Sequence, residues 1–121
     1  MLIEQNHKAR RWAAICHLSA LGMLLFLMFG NILGPLTIWL IKKREFPFID
    51  RHGKEAVNFQ ISMSIYTVAI VAFAIARLSI EAMLILAVLL IVLNIIFIAI
   101  AAFRASHGKS YQYPLTIPFV R

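Results

Sequence analysis

Acid is scarce in this chain: five Asp and Glu stand against twelve Lys and Arg across 121 residues, a formal net charge of +7. None of the five lies within an uncharged apolar run, so paired intramembrane carboxylates for acid–base work are absent. The single cysteine, Cys16, has no intramolecular partner, which excludes a disulfide framework. It reads as a small buried apolar residue. No Ser-His-Asp set, HExxH, CxxC or Gly-rich phosphate loop occurs. The four histidines lack an i+4 His or Cys partner, so a chelating motif for metal or haem is missing. These gaps argue against an enzyme and against any cofactor. Nucleic-acid binding is also disfavoured, because anionic lipid accounts for the basic balance more simply.

Apolar residues are abundant, at 62%, with 14% charged and a mean hydropathy of +0.86, far from the averages of soluble domains. The chain belongs in lipid. Residues 82–103 carry one polar side chain, Asn94, and match the roughly 20 residues that a spanning helix needs. Residues 56–76 are equally free of charge, and the short 77–81 link makes the pair an antiparallel hairpin. The first apolar run, 12–41, is preceded by Lys8, Arg10 and Arg11; it is too long for a signal-peptide core and reads as a retained segment.

Charge placement decides how that first run is threaded, since cytoplasmic loops collect Lys and Arg. A single kinked crossing puts Lys8, Arg10, Arg11 and Arg77 on one side and the other eight basic residues opposite. A chain that turns back at "FGNILGP", residues 29–35, leaves only Arg77 opposite the remaining eleven of the twelve. The return is favoured. Gly30 and Gly34 relax the backbone there, Asn31 suits a helix cap, and Pro35 suits a first helical turn. The kinked span at Gly34-Pro35 remains the alternative.

The expected fold is therefore an all-α integral membrane bundle in one domain, with four hydrophobic segments near 10–29, 32–43, 51–77 and 82–105 and a tail over 106–121. Two segments are full spans, and the first two form a hairpin whose returning helix is short. Both termini lie on the same, cytoplasmic side of what reads as a bacterial inner membrane.

The third segment begins in a dense polar stretch, with Asp50 expected as its N-cap. On a helix Arg51, Glu55, Asn58 and Ser62 share one face, while Gln60, Ser64 and Thr67 lie nearly opposite. A lipid-facing helix would not carry polar groups on both faces, so this half must be covered by protein or border water. Asp50, Arg51, His52, Lys54, Glu55, Asn58, Gln60 and Ser62 thus form a candidate polar vestibule or partner contact. The plainer alternative is interhelical hydrogen bonding, with Arg51 and Lys54 solvated at the interface. His17 and Asn94 read as helix-packing residues, and Ala87, Asn94, Ala101 and Ala105 form a stripe that permits close helix approach.

The segments "CHLSAL" (16–21), "GNILGPL" (30–36), "FIDRHGKEAVNFQIS" (48–62) and "YQYPLTIPFV" (111–120) resemble the DUF4870 group of small bacterial membrane proteins, classed with the Tic20-like proteins. That resemblance implies a four-segment layout with termini on one side and a non-enzymatic accessory or conduit role in protein translocation or insertion. It supplies no catalytic residue. The alternative function is a structural or interaction subunit that oligomerises or binds a larger membrane complex. Expected partners are the bilayer, anionic lipid at the cytoplasmic face, and other membrane proteins or further copies of the chain.

Overall fold

The computed structural model describes residues 3–24 and 30–121. Among the described residues four α-helices follow in order: α1 His7–Leu18, α2 Gly30–Lys42, α3 Pro47–Arg77 and α4 Ile80–Ser106, with a 3-10 segment Ser19–Leu24 after α1. The expected turn at 29–35 falls partly outside the described residues.

Each helix start has a local cause. The Asn6 side chain accepts from the amides of Lys8 and Ala9, so α1 begins three residues earlier than the hydropathy suggests. Phe46 is extended and Pro47 takes the first helical turn of α3, where its missing donor costs nothing. Asp50 is accordingly not an N-cap. It sits inside the first turn, accepts from Trp39 Nε1 at 2.8 Å and pairs with Lys54 at 2.7 Å. Ser79 caps α4 by accepting from the Ala82 amide at 3.3 Å.

The outgoing segment is not one continuous α-helix to residue 29. It changes to 3-10 geometry at Ser19, whose hydroxyl donates to the Cys16 carbonyl at 2.6 Å. The returning helix starts at Gly30, so Pro35 lies within α2 and not in its first turn. The two helices run antiparallel: Lys42 stands 4.4 Å over the Trp12 ring, Cys16 donates to the Pro35 carbonyl, and Gly34 meets Ser19. A Cβ at Gly34 would overlap the Ser19 carbonyl oxygen and come within 2.7 Å of its carbon.

Three apolar clusters tie the helices together. Ala9 and Ala13 of α1 pack with Phe48, Ile49 and Ala105; Cys16 packs with Trp39, Ala56 and Val57; Phe59 and Met63 pack with Ala101 and Tyr113. Asn94, Ala101 and Ala105 of the small-residue stripe are buried, whereas Ala87 is exposed.

The end of α4 meets the start of the chain. Gly108 adopts φ 75, donates to the Ala105 carbonyl, and accepts from the Glu4 amide at 2.8 Å. A side chain there would need a left-handed backbone and would also overlap the Glu4 carbonyl. Gly108→Ala is expected to cost more than about 1 kcal/mol, read as a lowered unfolding midpoint in detergent.

Beyond this head, α3 and α4 project as a hairpin. With 31 and 27 residues they are long and apolar enough to cross a membrane, about 46 and 40 Å at 1.5 Å per residue against a hydrocarbon core of about 30 Å. Their outer surfaces are bare: Val68 is 70% exposed, Leu84 63%, and Phe73, Ile85, Val88 and Leu89 are also exposed.

A buried polar core as the candidate functional site

A chain of aromatic and imidazole groups runs through the head. The Tyr113 hydroxyl lies 2.7 Å from His17 Nδ1, His17 Nε2 lies 2.8 Å from His52 Nδ1, and His52 Nε2 lies 3.0 Å from the Lys109 carbonyl. The carbonyl only accepts, so His52 carries its proton on Nε2 and accepts at Nδ1. His17 must then donate from Nε2 and accept from the Tyr113 hydroxyl at Nδ1. Every link points the same way with both rings neutral. His17 and Tyr113 come from α1 and the tail, and His52 from α3, so the relay joins three parts of the chain. Phe48 flanks His52 at 4.4 Å between ring centroids, and Phe59 stacks on Tyr113 at 3.9 Å and 8°.

Burial, with the Tyr111 phenol second, raises the Tyr113 phenol above its ordinary value of 10.0. A raised acid stabilises the fold fully below the unfolded pKa and loses that contribution as pH climbs above it. Stability is therefore expected to fall from about pH 10 upward by as much as about 1.4 kcal/mol per pH unit from this group. Tyr113→Phe should lack that part of the slope, as measured by thermal unfolding at a series of alkaline pH values.

About two helical turns farther along α3 than His52, amides converge. Gln60 and Asn94 exchange two hydrogen bonds at 2.9 and 3.1 Å, and Asn31 donates to Gln60 Oε1 and to Ser64 Oγ, each at 3.1 Å. Gln60 thus links α2, α3 and α4, and all three amide residues are buried.

The opposite face of α3 is covered by the chain's own tail. Glu55 accepts from the Tyr113 amide at 2.8 Å; Asn58 accepts from the Val120 amide and donates to its carbonyl, both at 2.8 Å. Ser62 accepts from the Ile117 amide at 2.9 Å, and the Tyr66 hydroxyl donates to the Leu115 carbonyl at 2.6 Å. Glu55, Asn58 and Ser62 therefore hold backbone.

The candidate vestibule residues do not form one cavity. Gln60 joins the amide set, His52 the relay, and Asp50 and Lys54 pair with each other near the surface, while Arg51 is exposed. Of the turn residues, Asn31 joins the amide set, Gly30 and Pro35 are buried, and Gly34 contacts Ser19. Sequence reasoning missed Tyr113, Tyr66, Ser64 and Trp39 as partners of these groups. Helical periodicity has no bearing on where a non-helical segment such as "YQYPLTIPFV" docks.

Among the described residues, no group of three or more His, Cys, Asp or Glu is placed to hold a metal ion. Around the loop, Glu45 bridges Lys42 at 2.7 Å and Lys8 at 3.1 Å, and hydrogen bonds from Lys42 and then Lys8 lower its carboxyl below the ordinary value.

Comparison with curated proteins and with solved structures finds no match. Residues 8–120 do match a family profile, and it is not the DUF4870 or Tic20-like one. The resemblance drawn from short segments is therefore corrected by a match that extends over residues 8–120. The translocation role implied by that resemblance falls with it. With two apolar helices long enough to cross a bilayer, the chain is an integral membrane protein, and it belongs to the magnetosome magnetite crystal formation protein family, MamF/MmsF.

Proposed function

We propose that this chain is a non-enzymatic interaction subunit that takes part in magnetite crystal formation from within the magnetosome membrane. The observation that carries the reading is a division of chemistry. Polar side chains of the head bond to one another or to the tail, whereas α3 and α4 leave long apolar faces uncovered. Work done through such a surface is assembly with other membrane helices or further copies of the chain. His17 and His52 spend ring nitrogens on each other, which does not favour iron chelation within one copy. The start of the chain, the basic stretch 42–54 and the tail lie together on the cytoplasmic face in this reading. It is supported by the Glu4–Gly108 hydrogen bond, by the antiparallel α1 and α2, and by the eleven-to-one division of basic residues. Anionic headgroups would meet Lys43, Arg44 and Arg51 there.

The test is photo-crosslinking from Leu84 and Val88 in a magnetite-forming cell, together with electron microscopy of crystals in cells lacking the chain. Capture of a second copy or of a magnetosome membrane protein, with altered crystal size on deletion, is the expected result. Adducts with lipid alone and unchanged crystals would overturn the reading.

A further inference from the structure

From the tail's geometry we infer that residues 113–120 form a re-entrant loop inserted among the acyl chains of the leaflet that surrounds the start of α3. The inference rests on α3 being a membrane helix and adds a lipid-contacting element that is neither helical nor long enough to span.

The tail descends and returns along α3. It begins at Glu55 through Tyr113, reaches Ser62 and Tyr66 through Ile117 and Leu115, and comes back to Asn58 through Val120. Glu55 to Ser62 is two helical turns, roughly 10 Å at 1.5 Å per residue. That depth lies within one leaflet of a core about 30 Å thick. Leu115 makes the reversal at φ 57, with its carbonyl held by Tyr66.

Irregular backbone at such depth is tolerated only where protein satisfies its polar groups. Here four side chains of α3 hold five of those groups, the amides of Tyr113, Ile117 and Val120 and the carbonyls of Leu115 and Val120, with Asn58 serving both groups of Val120. Inside the loop, Thr116 donates to the Tyr113 carbonyl at 3.2 Å and the Phe119 amide to the Ile117 carbonyl at 2.9 Å. Pro114 and Pro118 have no amide donor to satisfy. Tyr113 points into the head, but five side chains point the other way: Leu115 is 83% exposed, and Ile117, Phe119 and both prolines are exposed. A tail resting in water would place its apolar groups inward and its backbone outward. Between residues 114 and 119 this one does the reverse, and its bare surface is apolar like the exposed faces of α3 and α4. Exposed Lys109 and Arg121 at the two ends of the loop suit the headgroup layer.

Nitroxide labels at Leu115→Cys, Lys109→Cys and Val68→Cys, each in a Cys16→Ala background of the full chain, test the placement in phosphatidylcholine vesicles containing some phosphatidylglycerol. Collision with oxygen, which concentrates in lipid, is compared with collision with a water-soluble nickel chelate. The expected result is an oxygen-to-nickel ratio at 115 several-fold above that at 109 and close to that at 68. Adding Asn58→Leu should lower the ratio at 115 several-fold by freeing the Val120 backbone. A nickel-accessible 115 beside an oxygen-rich 68 would overturn the loop while leaving α3 in the membrane. Low collision with both reagents at 115 would mean that protein covers it and would also overturn the inference. A nickel-accessible 68 would remove α3 from the bilayer and with it both readings.

Discussion

Replacing Gly34 with leucine is expected to abolish the folded helical hairpin, whereas Pro35→Ala changes stability little. Gly34 lies where α2 crosses the start of the 3-10 segment, and even a Cβ would overlap the Ser19 carbonyl. The obstacle is backbone, which no rotamer change relieves, so the cost should exceed the about 1 to 3 kcal/mol typical of overpacking a core. Neighbouring contacts would separate with it: the Cys16–Pro35 bond and the Asn31 bridge to Gln60 and Ser64. Pro35 next door is buried inside α2, where proline removes one helical hydrogen bond. Alanine restores that donor and loses some packing, two effects of opposite sign. Thermal unfolding in detergent separates the cases, and equal tolerance of both variants would contradict the close crossing.

That crossing shows which parts of the fold can be read from the chain and which cannot. Residues 56–76 and 82–103 identify α3 and α4 because an uncharged run of about 20 residues has few alternatives in water or lipid. Helix starts are less legible. Asn6 caps α1 from outside the apolar run, and Pro47 displaces the start of α3 to a point before Asp50, so hydropathy misplaces both. The close approach of Ser19 to Gly34 joins residues 15 apart, a contact that no local pattern encodes. The polar groups on both sides of α3 indicate that each face needs partners. Their identities come from far along the chain: Asn94 is 34 residues from Gln60, and Val120 is 62 from Asn58. The tail partners most of all escape a periodicity argument, because α3 side chains hold backbone there, and backbone has no residue type.

The second large effect is expected at His17. His17→Leu should cost about 3 to 5 kcal/mol, because it leaves two buried groups without partners, the Tyr113 hydroxyl and His52 Nδ1, at about 1 to 3 kcal/mol each, and also loses ring packing. Adding Tyr113→Phe to His17→Leu removes one of the orphans, so the double variant should be no less stable than His17→Leu alone. In the otherwise unchanged chain, Tyr113→Phe is expected to cost about 1 to 2 kcal/mol, since His17 Nδ1 then has no donor. Tautomer exchange offers no escape. Moving the His17 proton to Nδ1 would turn Nε2 into a second acceptor facing His52 Nδ1, and His52 cannot turn its own proton inward without losing the Lys109 carbonyl. The relay is therefore directional, and breaking one link is felt at the next. A double-mutant cycle by thermal unfolding measures this as a coupling of about 1 kcal/mol or more between His17 and Tyr113. Strictly additive losses would mean that the two side chains pack independently, and that α1 and the tail are joined by apolar contact alone.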